Sequence, residues 1–133
     1  MIEIKHEPPT VSNYCNLRKI AGLSEKSQVA AKKGLANACF NVTIYDNQLL
    51  IGMGRVIGDG GTAFQIIDIA VDPNYQGMGY GKTIMNHVMA YISSVAESGT
   101  YVSLIADYPA DKLYAQYGFI TTEPYSGGMY IKY

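Results

Sequence analysis

Apolar and charged residues alternate at the very start of the chain. MIEIKH, residues 1–6, has the two-residue period of a strand, and Pro8-Pro9 ends it. A helix follows through Tyr14, Leu17, Arg18 and Ile20, with Thr10 or Ser12 as its cap and Gly22 as its stop. Ser24 or Ser27 caps a second helix, QVAAKKGLANA, which Gly34 weakens from within. NVTIYDNQLLIGMGRVIGDGG predicts a hairpin: a strand to Tyr45, a turn at Asp46-Asn47 and a strand from Gln48 to Ile57. After the turn Asp59-Gly60-Gly61, a long apolar strand runs from Ala63 to Val71. Ile84, Met85, Val88, Met89, Ile92 and Val95 share one face of a helix over residues 82–97. TYVSLIA predicts a further strand, and Pro109 a place in the first turn of the short helix ADKLYAQY, which Gly118 terminates. FITT and MYIKY predict two last strands.

The order β-α-α-β-β-β-α-β-α-β-β predicts an α/β (α+β) domain. Its sheet is mixed, mostly antiparallel and flanked by helices. The crossover through the long helix makes the strands at 63–71 and 100–106 a parallel, right-handed pair. One domain accounts for all 133 residues, without repeat or linker. A formal net charge of −1 and the lack of a basic run argue against a nucleic-acid surface. The apolar runs are far shorter than the roughly 20 residues of a membrane helix. The charged start, MIEIKHEPP, is unlike a signal peptide. Cys15 and Cys39 lack metal-site spacing and read as reduced, mostly buried thiols of a cytoplasmic protein, with no metal expected.

The chemistry is concentrated in AVDPNYQGMGYGK, Ala70 to Lys82, where a strand becomes a helix. Glycine weakens both elements, yet Gly77, Gly79 and Gly81 stand on alternate positions. A helix N-terminus carries unpaired N–H groups and partial positive charge, and glycines let a diphosphate approach them. Lys82 and Thr83 can add a charge and a hydroxyl. A Walker loop needs glycine at position 76, which is Gln76; a dinucleotide fingerprint needs it at position 82, which is Lys82. A tight turn with no ligand is the plainer alternative.

Gln76-Gly77-Met78-Gly79-Tyr80-Gly81 resembles the Q/R-x-x-G-x-G/A motif of GCN5-related N-acetyltransferases (GNAT), and Val71 to Gly77 resembles the approach common there. A second family pattern, A-x-x-L-Y-x-x-x-G-F, is matched by Ala110, Leu113, Tyr114, Gly118 and Phe119. The order of elements resembles that fold over essentially the whole chain. The resemblance implies acetyl-CoA as co-substrate and attack of an amine on its thioester. It implies that Ile69, Ala70 and Val71 offer backbone groups to the pantetheine arm, on a strand splayed from the next. It implies diphosphate binding by Gln76 to Thr83. Tyr114 takes the place of the acid that protonates the CoA thiolate; a phenol with a pKa of about 10 keeps its proton at neutral pH. The alternative for Tyr114 is packing alone, and Tyr117 packs at the helix end. Asp107 stands where many members have an asparagine that contacts CoA.

Asp68, inside IIDIAV, is costly to bury unless paired or protonated. It is a candidate base, or else the partner of Arg55 or a hydrogen-bonding group to a neighbouring strand; a water chain is the third option. Arg55 and Asp59 can pair or reach the acceptor. His87 reads as exposed, and His6 as no more persuasive. The resemblance places acceptor recognition near Leu23–Ser27 and Glu123–Gly128, and no clear basic pocket is legible. A small primary amine (polyamine, amino sugar or arylalkylamine) is the expected acceptor. A protein lysine or N-terminus is the alternative, and a non-catalytic acyl-CoA sensor the competing class. A homodimer through a sheet edge is a further expectation.

Overall fold

The alternating segments pair into one five-stranded sheet, in a computed structural model that describes all 133 residues. The order along the chain is β1 (Ile2–Lys5), α1 (Val11–Ile20), α2 (Gln28–Leu35), β2 (Phe40–Asp46), β3 (Leu49–Gly58), β4 (Ala63–Val71), α3 (Tyr80–Val95), β5 (Tyr101–Leu104) and α4 (Asp111–Ala115). Strands β1 to β4 form an antiparallel meander, and β4 and β5 are parallel across the α3 crossover. The expected mixed sheet is therefore present. Thr10 and Ser27 are the helix caps, each accepting a backbone N–H three residues on. The hairpin turn sits at Asn47-Gln48, one residue later than expected; both have positive φ, as a tight two-residue hairpin loop requires.

Each face of the sheet carries its own core. Ile84, Met85, Val88 and Ile92 of α3 pack on Val42, Ile44, Ile51, Val56, Phe64 and Ile66. Tyr14, Leu17, Ala31 and Leu35 of α1 and α2 pack on Leu50, Met53 and Ala70 from the other side. Helix α3 lies very close to β3. A Cβ built at Gly54 would stand 2.6 Å from Ile84 Cγ2 and 2.8 Å from Ile69 Cδ1. Overpacking of this kind costs about 1–3 kcal/mol. Gly54→Val is therefore expected to lower the urea midpoint correspondingly, and an unchanged midpoint would show that α3 is not seated on β3 this tightly.

The regular period breaks once, inside β4. Arg55 pairs with Ile67 and Met53 with Ala70, so three steps on β4 oppose two on β3. The extra residue is a bulge centred on Asp68, whose φ is +58°. Side-chain phase inverts across it: Phe64 and Ile66 face α3, and beyond it Ile69 and Val71 do so while Ala70 faces α1. The ladder with β5 also stops there, at Ile66 against Leu104. β4 thus splays from β5 over its last five residues, as the family resemblance implied.

Four expectations are corrected. FITT and MYIKY form no strands; from Ile120 to Tyr133 every residue is exposed. Pro109 precedes α4 instead of entering its first turn. His87 is half-buried rather than exposed, and its Nδ1 lies 2.8 Å from His6 Nε2. The two cysteines are free thiols of intermediate exposure, less covered than expected.

Candidate active site

The glycine loop ends in a helix with nothing capping it. Gly79 is the N-cap of α3 at φ 87°, and no side chain caps the N–H groups of the first turn. The N–H groups of Gly77 through Lys82 meet no acceptor in the protein; the first satisfied one is that of Thr83, bonded to Gly79 C=O. Six donors are therefore left without a protein partner at and just before the positive end of a helix of 16 residues. Gly77 and Gly79 both have left-handed φ, yet a Cβ on either would meet no protein atom within 4 Å. Packing inside the chain does not require these glycines. Backbone conformation does, and the open space beside them leaves room for an external group. Gly81 differs: its Cβ would touch Leu113 Cδ2 at 3.4 Å, which seats α3 on α4.

Beside the loop lies a cavity of about 320 Å³, lined by Ile69, Ala70, Val71, Tyr75, Gln76, Gly77, Gly79, Tyr80, Gly81, Ala110, Leu113 and Tyr114. The splayed end of β4 forms one wall. Gln76 is fixed by its Nε2, which donates to Val71 C=O at 3.2 Å. Met78 and Lys82 lie on the exposed rim, outside this lining. The Thr83 hydroxyl donates to Gly79 C=O within the helix, so the hydroxyl expected for a ligand is engaged locally. Asp72 shapes the turn, accepting from Asn74 N–H.

A second cavity, of about 250 Å³, opens on the other side of Tyr114, between β4 and β5. Ile69, Ala110 and Tyr114 line both cavities, so the phenol stands in the partition between them. Burial, followed by the negative charge of Asp107, raises the pKa of Tyr114 above its ordinary value. Asp107 lines the second cavity and not the first. Tyr117 packs at the helix end as expected, donating to Asn86 Oδ1 at 2.7 Å.

Asp68 is paired. Its Oδ1 accepts from Arg18 Nη1, and its Oδ2 accepts from Arg55 Nε and the Tyr14 hydroxyl, both at 2.8 Å. All three charged side chains are more than nine-tenths buried. Both guanidiniums also lie over the Tyr14 ring, 5.7 and 5.6 Å from its centroid. Arg18 reaches on to Ser24, bonding its carbonyl and its hydroxyl, and Arg55 bonds Gly34 C=O. Of the alternatives for Asp68, pairing with Arg55 is present. The role of base fits poorly, because both oxygens already accept hydrogen bonds from buried donors. Asp59 does not pair with Arg55; it accepts from Gly61, Thr62 and Ala63 in its own turn, which holds its pKa well below the usual carboxylate range.

Sequence reasoning missed Tyr14 and Arg18 as site residues. Their spacing of four on one helix face was the available signal. With Lys26, Arg55 and Asp68 they line a third cavity of about 350 Å³.

A profile of acetyltransferase (GNAT) domains matches residues 36–121. This chain belongs to the GNAT family. The GNAT chain is 62% identical to a Staphylococcus aureus protein of unknown function, a probable acetyltransferase, with TM-score 0.97 and 100% of both chains covered. A GNAT-family acetyltransferase from Streptococcus pneumoniae superposes with TM-score 0.80 at 21% identity, over 99% of this chain and 98% of that one, a likeness of fold. The uncharacterized N-acetyltransferase ycf52-like protein of Prochlorococcus marinus is 33% identical over 113 residues, 81% of this chain and 61% of that protein. The GNAT chain spans 61%, 45% and 47% of three curated relatives it matches.

GNAT acetyltransferases use acetyl-CoA, and the residues of this GNAT domain fit it. Six unpaired N–H groups suit a diphosphate, and the unpaired end of β4 suits the amide groups of a pantetheine arm. Gly79→Ala adds a Cβ at a left-handed position, costing about 1–2 kcal/mol of stability, and places it where the diphosphate approaches. Calorimetry is expected to show at least a tenfold weaker Kd for CoA, about 1.4 kcal/mol. Unchanged affinity would mean that the loop does not hold the diphosphate.

Proposed function

We propose that this chain transfers the acetyl group of acetyl-CoA to a primary amine of a small molecule by direct attack on the thioester. One observation carries the reading. The loop of unsatisfied N–H groups, the splayed end of β4 and the buried phenol of Tyr114 meet at the partition between two cavities. In the reaction a C–N bond forms at the thioester carbonyl and the C–S bond breaks. Tyr114 gives its proton to the leaving thiolate, and the proton that the new amide nitrogen sheds restores the phenol by way of solvent water. A backbone N–H of the Ile69–Val71 segment polarises the carbonyl. With Asp68 occupied, the ammonium of the acceptor loses its proton to solvent water in the open second cavity. Asp68 positions Arg18, Arg55 and Tyr14 instead.

The third cavity narrows the acceptor class. Arg18, Arg55 and Lys26 line it with a single carboxylate, Asp68, which leaves a surplus of positive charge. Such a wall disfavours a polyamine and favours an amine that also bears a carboxylate or phosphate. A protein amine is the second reading, supported by 28% identity over 103 residues to a histone acetyltransferase from Glycine max.

Release of free CoA, followed with a panel of polyamines, amino sugars with and without phosphate, amino acids and lysine peptides, tests the proposal. Turnover with acid-bearing amines is the expected result. No amine-dependent release across the panel would leave an acyl-CoA sensor as the better description.

A further inference from the structure

The second and third cavities are two ends of one trough. Arg18, Ile66, Ile67, Asp68 and Ile105 line both. Only the second reaches Tyr114 and Asp107, and only the third reaches Lys26 and Arg55. Charge is divided between the ends. Arg18, Asp68 and Asp107 give the second cavity an excess of one negative charge. Arg18, Lys26, Arg55 and Asp68 give the third an excess of two positive charges.

The charged groups between the ends are already engaged. Both oxygens of Asp68 accept bonds, and Arg18 donates from Nε, Nη1 and Nη2. The groups at the ends are free. Neither the Asp107 carboxylate nor the Lys26 ammonium enters any ion pair of the chain. The charge of Asp107 is felt at the neighbouring Tyr114 phenol. Ile66, Ile67 and Ile105 make the rest of the shared wall apolar. A free anion at one end, a free cation at the other and an apolar stretch between them select a molecule of the opposite polarity.

We infer that the acceptor lies along this trough as a linear amine with an acid group at the far end of an apolar chain, its ammonium held by Asp107 beside Tyr114 and its acid held by Lys26. The inference rests on the proposed transfer to a primary amine. It gives Asp107 to the acceptor, in place of the CoA contact that the family resemblance implied. An α-amino acid carries both charges on one carbon and cannot meet both ends, because neither Asp107 nor Lys26 lines the other's cavity. A polyamine sets a cation against Lys26 and Arg55. A carboxylate beside an amine favours the ammonium. Asp107 therefore receives the acceptor in the form that predominates at neutral pH, and the proton leaves to water as the nitrogen moves on toward the thioester.

Calorimetry on the protein saturated with CoA, which has no acetyl group to give, reads amine binding apart from turnover. The probes are linear ω-amino acids from glycine to aminooctanoate, aminoalkyl phosphates of the same lengths, and the matching alkylamines. Kd is expected to fall at least about tenfold from the shortest acid-bearing amine to the best length, and the tighter of the two acid series identifies the acid. Asp107→Asn is expected to weaken all three series by about tenfold and to leave the Kd for CoA within about twofold. Lys26→Gln should bring each acid-bearing amine to the Kd of its alkylamine, and Lys26→Glu should favour linear diamines. Both residues are exposed, so neither change disturbs the core. Absent binding, affinity independent of chain length, or affinity unmoved by Asp107→Asn or Lys26→Gln would each overturn the inference, whether or not an amine is acetylated. A weaker Kd for CoA in Asp107→Asn would return that residue to the co-substrate and overturn it too. Binding that follows length and charge, with no amine-dependent release of CoA from acetyl-CoA, would uphold the trough and overturn the proposed transfer instead.

Discussion

Tyr114→Phe is expected to lower kcat by about 10²- to 10⁴-fold, the usual contribution of a positioned general acid. The phenyl ring preserves the partition between the two cavities, so the Kd for CoA is expected to stay within about twofold. The loss should shrink with thioesters whose leaving thiol is more acidic, because such a thiolate needs less help from a proton donor. Burial and Asp107 hold the phenol protonated beyond its ordinary range. A rate that requires the protonated form is retained as pH rises, and is lost only through that raised value. The alkaline limb due to Tyr114 therefore belongs above pH 10, about the ordinary phenol value, and Asp107→Asn should move it downward. Full activity in Tyr114→Phe with alkyl thioesters would remove the residue from this role.

Asp68→Ala is expected to destabilise the fold by about 3–5 kcal/mol, because it strands two buried guanidiniums without their counter-charge. For a chain of this size that is a fall in Tm on the order of 10–20 °C. Asp68→Asn should cost less, since asparagine tolerates the left-handed backbone at φ +58° and still offers one acceptor. Comparing the two variants separates charge from conformation. If Asp68 positions its neighbours, the acidic limb of kcat/KM stays where it is in Asp68→Asn. A shifted limb would return Asp68 to the role of base. Tyr14 adds a further pH signature. Burial and Asp68 raise its pKa, so its bond to Asp68 stabilises the protein fully below about pH 10, the ordinary phenol value, and is lost as pH rises through the higher folded value.

The strands, the long helix and the glycine loop were legible because each rests on local rules. Ala63–Val71 has its period, α3 its apolar face, and the loop its alternate glycines. The bulge at Asp68 was only half legible. A carboxylate among isoleucines announces a partner, but Arg18 lies fifty residues earlier, and no periodicity reveals which cation folds back to meet it. The basic third cavity was hidden for the same reason, being assembled from α1, the loop after it, β3 and β4. The last two strands were expected from propensity alone. Propensity describes what a segment can pair as; the β5 edge stays open in this fold, and no backbone bond joins FITT or MYIKY to it.

One carboxylate joins three parts of the fold beside the second and third cavities: through Arg18 it holds the Ser24 turn, through Arg55 the end of α2, and through its own backbone the kink in β4. On the proposed function, mutations at Leu23 and Lys26, whose side chains line the cavities with no anchoring bonds, would change amine preference without loosening that frame. Ser24 and Gly34 have no such liberty. Evolution of a new acceptor in this scaffold therefore runs through the first pair, and a laboratory library aimed at substrate scope should begin there.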